Sequence, residues 1–129
     1  MKYYFDTTVE GEFSQIIDRV TEALKDEGFG VLTEIDIAAT MKKKLNVDLR
    51  KYKILGACNP QYAYRALQAE NKIGTMLPCN VIVQETEAGS IEVSAVNPQA
   101  SMQAVENPEL GSLAAEVTEK LKRVIANLG

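Results

Sequence analysis

Two cysteines carry most of the chemistry available to this sequence: Cys58 in Gly56-Ala57-Cys58-Asn59-Pro60 and Cys79 in Leu77-Pro78-Cys79-Asn80. An Asn-Pro dipeptide suits a helix start, because asparagine caps well and proline at the first helical position lacks only an amide hydrogen that would have no partner there. Cys58 thus falls at a strand end and a helix threshold, where the positive end of the macrodipole favours a thiolate. Cys79 opens a strand. Their spacing is not Cys-x-x-Cys, so neither a thioredoxin-type pair nor a zinc knuckle is indicated. A strand end and a strand start can still meet at one rim of a sheet, and two thiolates with Met76 as helper would suit Cu(I). The plainer reading is two small apolar core residues, since free cysteine is among the most buried types.

Around these thiols, Asn59 and Asn80 are the adjacent polar groups, while Tyr62, Tyr64 and Arg65 on the following helix are candidate pocket walls. Glu34 and Asp36, two residues apart in a strand, share a face and are either an acid-base pair or a solvated strand end. Histidine is absent, which removes His-based triads, His zinc sites and the imidazole proton shuttle. There is no Gly-rich phosphate loop, nucleotide fingerprint or Gly-x-Ser-x-Gly elbow, and no cofactor is expected.

The 129 residues include 14 Lys and Arg against 18 Asp and Glu, a net charge of −4. That balance argues against nucleic-acid binding, which relies on cations to displace phosphate counterions. Lys42, Lys43, Lys44, Arg50, Lys51 and Lys53 crowd one segment against Asp48. The cluster is either a seat for an anionic ligand or acidic partner, or a solvated surface. No run approaches the roughly 18 apolar residues of a membrane helix. The opening Met1-Lys2-Tyr3-Tyr4-Phe5-Asp6 lacks the zones of a signal peptide, so a reducing cytoplasm with free thiols is expected.

The elements that must position these residues follow from periodicity. Tyr3 to Val9 alternates as a strand, and Phe13, Ile16, Ile17, Val20 and Leu24 form one stripe of a helix to about Glu27, stopped by Gly28. Phe29 to Ile35 is apolar on both faces and reads as a central strand. Ile37 to Leu45 suits a short helix with lysines toward its negative end, and Lys53 to Ala57 a third strand. Asn59-Pro60, Asn97-Pro98 and Asn107-Pro108 each open a helix, the second of only one or two turns and the third running to the C-terminus. Asn80 to Thr86 and Ile91 to Val96 form a hairpin across Gly89. With no repeat or linker, residues 1–129 read as one α+β domain with a largely antiparallel sheet.

Several motifs in order, Glu27 to Asp36, Lys42-Lys43-Lys44-Leu45, Ile54 to Pro60, Ala63 to Glu70 and Gly74 to Val81, closely resemble the bacterial and archaeal domain-of-unknown-function family 302. The resemblance covers nearly the whole chain. It implies a TATA-binding-protein-like β-α-β(4)-α fold and homodimers, but no established activity. Gly11 stands where a stronger helix cap is expected. The leading functional expectation is a cytoplasmic, homodimeric small-ligand or partner-binding module with its site at the Cys/Asn turns. The alternatives are thiol-based redox, sulfur-transfer or Cu(I) handling through Cys58 and Cys79, and an adaptor that uses the basic segment.

Overall fold

The computed structural model describes residues 1–129. Five strands, β1 (Tyr4–Val9), β2 (Gly30–Asp36), β3 (Tyr52–Cys58), β4 (Cys79–Glu85) and β5 (Ile91–Val96), make one antiparallel sheet in the order β1-β5-β4-β3-β2. Helix α1 (Phe13–Asp26) follows β1 and α5 (Pro108–Leu128) follows β5; α2 (Ile37–Leu45), α3 (Pro60–Ala69), a 3-10 turn (Ile73–Met76) and α4 (Pro98–Ser101) are shorter insertions. This is the expected α+β class with a β-α-β(4)-α outline.

Helix α1 begins without help from Gly11. The Glu12 carboxylate accepts from the Ser14 hydroxyl at 2.6 Å and from the Ser14 and Gln15 backbone amides at 3.2 and 3.1 Å. These donors hold the Glu12 carboxyl below its ordinary pKa, because they favour its charged form. At the other end Gly28 takes φ +87°, and the amides of Gly28 and Phe29 donate to Lys25 and Leu24 carbonyls. That arrangement is a Schellman stop, and its left-handed residue favours glycine. Between these caps, the stripe Ile16, Val20 and Leu24 is at most 2% exposed. Each such side chain contributes about 1.5–3 kcal/mol on burial.

Register explains which sheet face receives that stripe. Leu55 pairs with Val81, Val81 with Ala95, and Val83 with Val93, so alternation collects them on one face. They join α1 and the α5 residues Leu121 and Val124 in the main core. The reverse face carries exposed Asp6, Thr8 and Asn80. No helix is long and apolar enough to cross a membrane.

One expectation is overturned: β2 is an edge strand, not a central one. Apolar residues on both faces had implied burial on both sides, but β2 pairs only with β3, and its register shifts at a bulge between Val31 and Thr33. Val31 packs against the core, while Leu32 and Ile35 are left 68% and 46% exposed. Two lysines of the basic segment beyond it are ion-paired, and one arginine is hydrogen-bonded. Lys42 meets Asp48 at 3.2 Å, Lys53 meets Glu34 at 2.8 Å, and Arg50 donates to Gln84 at 2.8 Å. Asp36 accepts from the Ala39 amide at 2.8 Å as the cap of α2. Glu34 and Asp36 are thus engaged separately.

Candidate functional site

The three Asn-Pro helix starts turn out to be chemically different. Asn97 and Asn107 accept from the Gln99 and Glu109 amides, each at 3.1 Å, as capping residues should. Their amide groups also tie elements together: Asn107 donates to the Ala69 carbonyl at 2.9 Å, fixing the start of α5 to the end of α3, and Asn97 donates to the Lys2 carbonyl at 3.0 Å. Asn59 occupies the cap position of α3 but makes no capping bond. Its side chain donates instead to the Glu27 carbonyl at 3.4 Å, joining the α3 start to the α1 stop.

These ties frame a gap. The buried apolar residues divide into a main core and a smaller cluster of Ala66, Ile73, Leu110 and Leu113, with Tyr62 packed against both. Between them lies a cavity of about 240 Å³, and fourteen of the seventeen residues lining it are hydrophobic. Helix α3 presents Ala63 and Ala66 to it and α5 presents Ala114. Small side chains on both helices leave the volume that larger ones would fill. A sealed void of this size would cost on the order of 6 kcal/mol at about 24 cal/mol per Å³, comparable to a domain's whole stability.

Four of the expected residues line this cavity: Cys58, Asn59, Tyr62 and Cys79. Cys79 pairs with Ala57 in register, so the two share a face of the sheet, and Cys58, the last residue of β3, lines the same cavity from the strand end. Both cysteines are free, Cys58 half-buried and Cys79 buried. The remaining expected residues are elsewhere. Asn80 is exposed, Tyr64 is 64% exposed, and Met76 lines a separate depression with Glu70 and Lys72. Arg65 does not line the cavity, but its guanidinium lies 5.5 Å from the centre of the Tyr62 ring. Among the residues missed in the sequence are Leu32, re-aimed by the β2 bulge, and the alanines of α3 and α5.

Burial, and secondarily the neighbouring Cys58, pushes the Cys79 thiol from its ordinary 9.0 up to about 11. The physical cause is loss of water around the charged form. We expect native iodoacetamide labelling at pH 8, read by peptide mapping, to modify Cys58 first and Cys79 only on unfolding; equal rates would contradict the burial. Linkage gives the sign of the pH effect. The unfolded thiol ionises first, so Cys79's contribution to stability is intact below pH 9.0 and is lost as pH rises toward 11. A Cys79→Ala chain should lack this alkaline step.

The comparisons agree with the architecture. The profile of the family described as "Domain of unknown function DUF302" matches residues 5–128. The chain belongs to this family. A DUF302 crystal structure, that of the uncharacterized conserved protein from Bacillus stearothermophilus, has a TM-score of 0.92 at 27% identity, with 100% of each chain covered. No curated protein matches. The DUF302 assignment therefore accounts for the fold and leaves the cavity's use to be argued from its own chemistry.

Proposed function

We propose that this DUF302 chain is a binding module for a small molecule with an apolar body, taken up between α3, α5 and the ends of β3 and β4. The observation that carries the reading is the apolar cavity of about 240 Å³ dividing the two hydrophobic clusters. An apolar cavity of about 150 Å³ stays dry and accepts benzene, so this one has room for a larger ring or a short chain. Asn59 is the one hydrogen-bonding amide side chain in its wall. That balance of apolar lining with few polar groups fits small-ligand pockets generally.

The thiol alternative is less well supported. With its pKa near 11, Cys79 is thiolate in only about one molecule in ten thousand at pH 7. Titration with the uncharged fluorescent probe N-phenyl-1-naphthylamine, followed by competition with decanol, tests the proposal. Saturable uptake of one probe per chain, displaced by decanol, is the expected result. Absence of saturable binding would overturn it.

A further inference from the structure

Just outside the cavity lining, two cations stand against the Tyr62 ring. Arg65 lies 5.5 Å and Lys120 5.9 Å from the centre of the Tyr62 ring, and that ring both lines the cavity and bridges the two apolar clusters. Arg65 has one carboxylate within 4.0 Å: Glu116, at 3.9 Å, too far for a hydrogen bond. Lys120, half-buried, is within 4.0 Å of no carboxylate at all. In a chain of net charge −4, two cations beside the apolar cavity with only one carboxylate within 4.0 Å of either leave a local positive excess.

We infer that the cavity's ligand is an amphipathic anion, its tail among the apolar residues and its carboxylate met by Arg65 and Lys120 beside Tyr62. This rests on reading the cavity as a ligand site. Aromatic rings already attract both cations, and a carboxylate arriving next to the ring adds a charge-assisted hydrogen bond to each without displacing that contact. Glu116 competes for Arg65. Removing Glu116 should therefore strengthen anion binding, whereas removing the cations should weaken it. A residue with a merely structural part in the α3–α5 contact would not produce opposite signs.

Decanoate, decanol and decylamine, which share a tail and differ in head-group charge, are measured by isothermal titration calorimetry at low salt. Decanoate should bind best. Replacing both cations in Arg65→Gln/Lys120→Gln should weaken decanoate about five-fold or more while leaving decanol unchanged, as expected for exposed charge pairs. Arg65→Lys should retain the preference, Glu116→Gln should increase it, and added salt should erode it. Equal binding of decanoate and decanol, stronger binding of decylamine, or a preference that survives the double substitution would overturn the anion inference while leaving the cavity reading intact. Failure of all three probes would overturn both.

Discussion

Gly56→Ala should lower the melting temperature by roughly 3–10 °C, from about 1–3 kcal/mol of overpacking. Gly56 lies in β3, paired with Thr33 of β2 and Asn80 of β4. A methyl group there would overlap the Thr33 hydroxyl and come within 2.8 Å of the Pro78 ring. Neither neighbour yields easily: Thr33 is β-branched with few rotamers, and Pro78 is a closed ring. The substitution therefore pushes β2 or the Pro78 segment outward, next to Ala57, Cys58 and Cys79 in the cavity wall. Thr33→Ala removes one of the two obstacles. In the Gly56→Ala background it should recover part of the lost stability, a coupling measured by a double-mutant cycle of thermal or urea unfolding. An unchanged melting temperature, or purely additive effects, would refute this account of the glycine.

The sequence displays local rules well and packing defects poorly. The α1 stripe, the three Asn-Pro starts and the turn around Gly89, which takes φ +83°, are all matters of nearest neighbours, so they were readable without coordinates. Strand β2 was misplaced because its bulge depends on how it pairs with β3, and no local pattern reveals the resulting exposure of Leu32. Asn59 illustrates the same division. Its position before Pro60 correctly marks the start of α3, but its side chain is claimed by a carbonyl 32 residues away in sequence. Cys58 and Cys79 both line the cavity. The cavity itself is not legible in the sequence because it is a lack of volume: Ala63, Ala66 and Ala114 look like ordinary good helix formers, and only the meeting of α3 with α5 turns three missing side chains into one space.

Ala63→Phe should abolish apolar-probe binding, with at least a tenfold loss of affinity, and should leave the protein as stable or stabler. Ala63 is half-buried, lines the cavity and belongs to neither hydrophobic cluster. A larger side chain at this position therefore has unfilled space to enter. A phenyl group entering an apolar void of about 240 Å³ gains about 1.5–3 kcal/mol from burial, less the cost of fixing its rotamer, which raises the melting temperature by several degrees. Ala66→Phe is the instructive contrast. Ala66 is 6% exposed and packed with Ile73, Leu110 and Leu113, so the same ring there should block binding and also strain that cluster. Probe titration and thermal unfolding on both variants separate the two effects. A stable Ala63→Phe chain that still binds the probe at full affinity would place the ligand outside this cavity, and a destabilised one would mean that the space is not open to occupation from α3.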